Sequence, residues 1–319
     1  MNILQIGMGK SGNLWLYQII QNILRESGQT FKNFIQTQPI YEVAKTWGLS
    51  FKDQAGVDCI TIEPNGVYYR ISSIFRMPIE RMSVYAEACS HVWLQSMPCI
   101  KTEETLSHFN KIIYIIRDPR DAAISNSKYT FTPYRQKYAP HTFKTPEMAL
   151  EHQLPHDMIQ WVKHVGGYLL LKEKLNIHLI CYENLLHSFE KEFERLLQYL
   201  HLSLSIEQRL KIADSVNFEN MKNRDPNHVR KGQFSQWKNT FTDSQIKTSQ
   251  NIAGKMFEKL GYTQDIPDFP EKISIEEIQT IIRAAEKKYL LKRVFQKAKK
   301  SILRCSPFYV RSPNIMDNR

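Results

Sequence analysis

The opening fifteen residues constrain this chain more than any other stretch. Asn2 to Ile6 (NILQI) is a short apolar run. Gly7-Met8-Gly9-Lys10-Ser11-Gly12 follows at once, and then a segment beginning Asn13-Leu14-Trp15-Leu16. Strand, glycine-rich turn with a lysine and a serine, then helix: this order aims several backbone N–H groups and the positive end of a helix at one point, which suits a phosphate or sulfate. It is not a Walker A loop, which carries an earlier glycine ahead of its Gly-Lys pair. For this segment alone, a tight strand-to-helix turn with a solvated lysine is the plainer alternative.

Two further runs extend the pattern. Lys111 to Ile116 (KIIYII) is continuous, β-branched and aromatic, as a strand buried on both faces requires, and Asn176 to Cys181 (NIHLIC) reads the same way. Helical patterns cover Leu14 to Arg25, Pro146 to Lys174 with a break expected near Gly166-Gly167, and Leu185 to Leu200. Strands alternating with amphipathic helices predict an α/β fold with three layers, helices on both faces of a mainly parallel sheet. Ligands of such sheets sit outside the C-terminal ends of the strands, where the Gly7 turn and Arg117 both fall.

The 319 residues, 42% hydrophobic, suffice for one large domain, and a net charge of +11 favours an anionic partner. Five scattered cysteines without a Cys-x-x-Cys pair argue against a disulfide framework or zinc knuckle and favour a reducing compartment. No charged-then-apolar leader and no run of ~20 apolar residues is found, so the expectation is a cytoplasmic chain with no secretion signal or membrane span. We place the main domain at 1–270. Residues 31–100 are expected to form an insertion beside the site, with a hairpin turning at Asn65-Gly66 and one or two helices. Residues 271–319 form a basic helical extension. In it, Leu291, Phe295, Ala298 and Ile302 make an apolar stripe, with Lys292, Arg293, Lys297, Lys299, Lys300 and Arg304 off it. Such a helix over 275–304 either packs on the body or lies on an anionic membrane surface. No nucleic acid partner is expected.

Arg117-Asp118-Pro119-Arg120-Asp121 through Ser125 follows the second strand and offers a planar cationic donor and a hydroxyl. Arg230-Lys231-Gly232 ahead of Trp237-Lys238-Asn239 makes another plausible phosphate clamp. Together with the opening loop these elements resemble the PAPS-dependent sulfotransferases, where PAPS is 3'-phosphoadenosine 5'-phosphosulfate. The family's Pro-Lys-Ser-Gly-Thr-Thr-Trp-Leu loop is matched by Gly9-Lys10-Ser11-Gly12-Asn13-Leu14-Trp15-Leu16. Its 3'-phosphate segment is matched by Tyr114 to Ser125, and its Arg-Lys-Gly…Trp-Lys-Asn-x-Phe-Thr element by Arg230 to Thr242. Its Tyr-Glu-Asp-Leu segment is matched by Tyr182-Glu183-Asn184-Leu185. The resemblance spans roughly residues 2 to 245.

What the resemblance implies is a P-loop-like fold and sulfuryl transfer from PAPS to an acceptor hydroxyl without a metal. Lys10 would meet the bridging oxygen of the leaving group, where negative charge grows. Backbone N–H groups from Ser11, Gly12, Asn13, Leu14 and Trp15 would hold the 5'-phosphate, with Trp15 against adenine. Arg117, Ser125 and Arg230 would bind the 3'-phosphate, assisted by Lys231 and Gly232. Tyr182 and Phe218 would line the nucleotide pocket. The family's Lys-Thr-His is set against Lys101-Thr102-Glu103, which makes Glu103 the expected base and Lys101 a support for the sulfuryl oxygens, with His108 and His91 as substitutes. Asn13 and Leu14 replace two threonines, and Asn13 alone can restore a donor. The family's dimer signature is half present: Lys238 and Thr242 fit it, Asp243 and Lys247 do not. The acceptor is expected to be a small molecule, glycan or lipid bearing a hydroxyl, met by some of Phe31, Phe34, Trp47, Phe51, Tyr68, Tyr69 and Phe75. The rival readings are a P-loop kinase, a basic membrane-surface protein, and a nucleotide-binding but inactive member of the same fold.

Overall fold

A computed structural model describes residues 1–226, 228–229, 232–264, 266–270 and 272–305, with the side chains of 293 and 295–305 left aside. The strands are β1 (Ile3–Ile6), β2 (Cys59–Glu63), β3 (Gly66–Ile71), β4 (Phe75–Pro78), β5 (His91–Leu94), β6 (Lys111–Ile116) and β7 (Ile177–Cys181). The helices before β6 are α1 (Asn13–Glu26), α2 (Ile40–Ala44), α3 (Met82–Glu87) and α4 (Thr102–Leu106). After β6 come α5 (Pro119–Tyr129), α6 (Pro133–Tyr138) and α7 (Pro146–Leu169), and after β7 come α8 (Tyr182–His187) and α9 (Phe189–Leu200). The remainder are α10 (Ile206–Ser215), α11 (Phe218–Arg224), α12 (Trp237–Thr240), α13 (Asp243–Lys259) and α14 (Ile275–Cys305).

One sheet runs β4-β3-β2-β5-β1-β6-β7. Its β2-β5-β1-β6-β7 portion is parallel, and β3 and β4 add an antiparallel edge. Side chains alternate between the faces. Ile112, Tyr114 and Ile116 of β6 join one core with Trp161 of α7 and Met256 of α13. Ile113 and Ile115 join the other with Leu16 and Ile20 of α1 and Phe193 of α9. A strand apolar on both faces needs helices on both, and the three-layer α/β expectation follows from that.

Two expectations change. Residues 31–100, expected as an insertion beside the site, supply β2 to β5, and β5 pairs directly with β1. The Asn65-Gly66 hairpin is present as β2 and β3 within that sheet. No break interrupts α7 at Gly166-Gly167. A Cβ at Gly166 would sit 2.7 Å from Ile282 of α14, and one at Gly167 2.7 Å from Pro98, so these glycines serve close packing. The expected helix from Leu185 to Leu200 is two, α8 and α9, joined at Ser188.

The start of α14 belongs to the body: Ile278, Ile281 and Ala285 are buried in the first core. Leu291 is half exposed and Lys292 donates to Thr248 at 2.6 Å. The rest of the basic stripe (Arg293, Phe295, Lys297 to Lys300, Ile302 and Arg304) lies outside the described side chains. Among the described residues no helix is long and apolar enough to cross a membrane.

Candidate active site

The C-terminal ends of β5, β1, β6 and β7 border a cleft of about 380 Å³. At the end of β1 the chain turns sharply. Lys10 adopts a left-handed backbone at φ 69°, an uncommon state for a residue with a Cβ and one that marks functional turns. Gly12 follows at φ 92°, and a Cβ there would lie 2.5 Å from the Tyr182 ring. Glycine is required at that position by both conformation and space. α1 then begins with no side-chain cap and no acidic residue in its first turn. Its early N–H groups and the positive end of its dipole are left for an anion at the cleft.

Asn13 is used differently from expectation. Its amide donates to the carbonyls of Met8 at 2.7 Å and Gly7 at 3.3 Å, so it staples the loop and offers no side-chain donor to the cleft. Ser11 is buried, and its N–H already donates to Met8 at 3.2 Å.

At the end of β6, Arg117 is held in three ways. Its Nη1 donates to the Lys10 carbonyl at 3.1 Å, its Nη2 to the Gln233 carbonyl at 3.0 Å, and its guanidinium lies 4.2 Å from the Tyr182 ring centroid. Its Nε is buried without a partner. The rest of the motif is structural. Asp118 caps α5 by accepting from the Arg120 N–H at 2.8 Å, Pro119 stands in the first turn, and Arg120 pairs with Asp118 at 2.7 Å with both side chains buried. Arg120 is also packed 3.7 Å from the Trp237 ring, and Asp121 accepts from the Trp237 N–H at 3.0 Å. The Trp-Lys-Asn element is thereby anchored to the start of α5.

Lys10, Gly12, Asn13, Leu14, Trp15, Arg117, Ser125, Tyr182, Phe218 and Gly232 all border the one cleft. Trp15 is fixed by donation to the Val216 carbonyl at 2.8 Å and by the edge of Tyr182 at 5.9 Å. Gly232 has φ 57°, and a Cβ on it would meet Phe218 at 2.5 Å. Arg230 and Lys231 lie outside the described residues.

Glu103 and Lys101 are not brought to the cleft. The chain leaves β5 past Gln95, which borders the cleft, and residues 101–106 form α4 and its lead-in, away from the lining. Glu103 is half exposed and pairs with Lys174 at 2.5 Å. The expectation that it serves as base is therefore corrected. His91 is also unsuited: it is buried, stacked on Tyr17 at 4.8 Å, and hydrogen-bonded to Gln21 at 3.0 Å. His108 does not border the cleft. Of the aromatic residues expected near an acceptor, Phe51 alone does; Phe34 and Tyr69 pack edge to face at 5.1 Å in the core.

The residue that sequence reasoning missed is His228. No carboxylate borders the cleft among the described residues, and His228 is the imidazole that does. Its Nδ1 is 3.0 Å from the Ser50 hydroxyl, which accepts from the Tyr129 hydroxyl at 2.8 Å. Phe51 meets it edge-on at 5.4 Å. The Tyr129 ring carries the Lys10 ammonium 4.0 Å from its centroid and stands 6.0 Å from the imidazole. Burial and the Lys10 charge push the imidazole down to about 3. It is consequently neutral at ordinary pH. The clue in the sequence was its place two residues before the Arg-Lys-Gly element.

The sulfotransferase domain profile matches residues 2–262. The chain belongs to the sulfotransferase family. It is 27% identical over 184 residues to the 3-alpha-hydroxysteroid sulfotransferase of Cavia porcellus, covering 51% of this chain and 58% of that protein. It is 25% identical over 286 residues to Sulfotransferase 2B1 of Rattus norvegicus, covering 84% of this chain and 72% of that protein. In structure it resembles mouse sulfotransferase SULT7A1 complexed with PAP, with a TM-score of 0.51, 20% identity, and coverage of 80% of this chain and 83% of the other. Retinol dehydratase in a complex with retinol and PAP gives a TM-score of 0.52, 16% identity, and coverage of 86% and 83%. These last two likenesses are likenesses of fold.

Proposed function

We propose that this sulfotransferase-family chain moves a sulfuryl group from PAPS to the hydroxyl of a small-molecule acceptor by in-line displacement. One observation carries the reading: Lys10, the uncapped start of α1 and Arg117 meet in a single cleft, with Arg117 bonded to the Lys10 carbonyl at 3.1 Å. The N–H groups of α1 take the 5'-phosphate end of the nucleotide. Arg117 and Ser125, with Arg230, take the 3'-phosphate. Tyr182, Trp15 and Phe218 provide apolar walls. Relatives named for 3α- and 3β-hydroxysteroids, and for retinol, favour an alcohol as the acceptor class.

The step balances with residues at hand. The acceptor oxygen bonds to sulfur as the bond from sulfur to the bridging oxygen breaks. That electron pair stays on the 5'-phosphate, where the Lys10 ammonium offsets it. The acceptor proton passes to the neutral imidazole of His228, whose Nδ1 is oriented by Ser50 and Tyr129. Lys10 and His228 both lie against the Tyr129 ring, which supports a leaving-group partner and a base acting at the same end of the cleft.

The test is transfer of radiolabelled sulfate from PAPS to a panel of small alcohols, neutral steroids and anionic hydroxy compounds together, by the purified chain. Labelled product is expected from the parent protein and a loss of about 10²-fold or more from Lys10→Ala. Full turnover by Lys10→Ala would remove the proposed division of labour.

A further inference from the structure

The cleft carries two arginines that the nucleotide reading leaves unused. Arg70, on β3, donates from Nη1 to the Ser72 carbonyl at 2.8 Å and from Nη2 to Gln95 Oε1 at 3.5 Å. Ser72 and Ser73 share hydrogen bonds with the Tyr134 hydroxyl, and Arg135 is the next residue along α6. The turn after β3 and the helix α6 are thus tied into one wall, with a guanidinium from each facing the same cleft.

Among the described residues, neither guanidinium has a counterion. Among the described residues, neither pairs with a carboxylate, and Arg135 makes no side-chain hydrogen bond. The Nε of each is buried and unpartnered. Among the described residues, no aspartate or glutamate borders the cleft. A half-buried cation with no anion beside it is costly, and structures keep one where a ligand brings the missing charge. The planar fork of arginine matches the oxygens of a carboxylate or sulfate. Arg135 also acts on Tyr129, the residue that carries Lys10, lowering its phenol against the stronger opposing effect of burial. The cationic wall therefore reaches the reacting end of the cleft.

We propose that the acceptor is itself an anion: a hydroxylated compound whose carboxylate or sulfate is held by Arg70 and Arg135 while its hydroxyl faces His228. This rests on the sulfuryl-transfer reading and narrows its acceptor class beyond the neutral alcohols for which the relatives are named. In this arrangement Arg70 and Arg135 select and position the acceptor, and they take no part in moving the proton.

The experiment first confirms by calorimetry that adenosine 3',5'-bisphosphate binds. It then measures binding and PAPS-driven sulfation of matched pairs: 4-hydroxyphenylacetate against 4-hydroxyphenylacetamide, and 6-hydroxyhexanoate against 6-hydroxyhexanamide. A third arm, 4-hydroxyphenyl sulfate, separates carboxylate from sulfate as the preferred oxyanion. The anionic members are expected to bind to the nucleotide-loaded protein about tenfold more tightly than their amides. Arg135→Gln should reduce that preference to about threefold or less, Arg135→Lys should keep part of it, and nucleotide affinity should be unchanged in both. Arg70→Gln provides a second, independent loss. Equal handling of acid and amide, preference for the amide, or no binding of any anionic probe to a nucleotide-loaded protein overturns the proposal. Failure of the nucleotide itself to bind would instead strike at the sulfuryl-transfer reading.

Discussion

At the scale of single residues, the chemistry separates two groups that the sequence alone could exchange. Glu103 stands where a motif match suggests a base, but its carboxylate is paired with Lys174 outside the cleft. His228 is a lone histidine in the sequence, yet folding brings Ser50 to its Nδ1 from 178 positions away. We expect His228→Asn to lower the turnover number by about 10²-fold or more while nucleotide affinity holds, and Glu103→Ala to leave turnover within about twofold. Steady-state kinetics on both variants decides between them, and equal losses would contradict the assignment. Gly12→Ala should weaken nucleotide binding and cost about 1–3 kcal/mol of stability, since the left-handed turn and the Tyr182 ring both oppose a side chain. The residues proposed to face the nucleotide were legible because strand, loop and helix lie adjacent in sequence. The proposed base and the two arginines proposed to face the acceptor were not, because their meeting depends on contacts between distant elements.

At the scale of elements, the strands that reveal themselves are those buried on both faces. β1, β6 and β7 carry mainly apolar runs, interrupted by Gln5 in β1 and His178 in β7, and fall within a residue of expectation. β5, although buried throughout, begins with a histidine, and β4 is a largely exposed edge with no alternation to read. Gly166 and Gly167 misled for a related reason: glycine in a helix reads as a break until the neighbour that needs the space is known. The Arg-Asp-Pro-Arg segment divides its labour along one helix start, with Arg117 toward the cleft and Asp118 with Arg120 bracing α5. Arg120→Ala leaves the Asp118 carboxylate buried without its partner and should cost about 3–5 kcal/mol in urea unfolding. A loss under 1 kcal/mol would show that the pair does not brace the helix.

At the scale of the whole molecule, buried ionisable groups of both kinds shape stability. Burial raises the carboxyls of Asp58, Asp157 and Glu183 to about 7 and that of Asp121 to about 6. It lowers His91 and His228 to about 3 and His164 and His178 to about 4. Between about pH 4.5 and 6.5, the unfolded chain binds these protons on histidines and the folded chain binds a similar number on carboxyls, so stability should be flat. Below that window the unfolded carboxyls take up protons too, and stability is lost as pH falls toward the depressed histidine values. Above it the unfolded histidines are neutral while the folded carboxyls still hold protons, so stability falls as pH rises through 7. Denaturation midpoints measured from pH 3 to 8.5 should show that plateau, and a steady rise from pH 5 to 8 would contradict it. The central claim concerns the cleft, where β1 and β6 bring together groups 107 positions apart. Calorimetric titration with adenosine 3',5'-bisphosphate tests it most directly. The account predicts one tight site per chain, weakened about tenfold or more by either Lys10→Ala or Arg117→Ala. A protein that does not bind this nucleotide, or binds it equally well without Lys10 and without Arg117, would contradict the account.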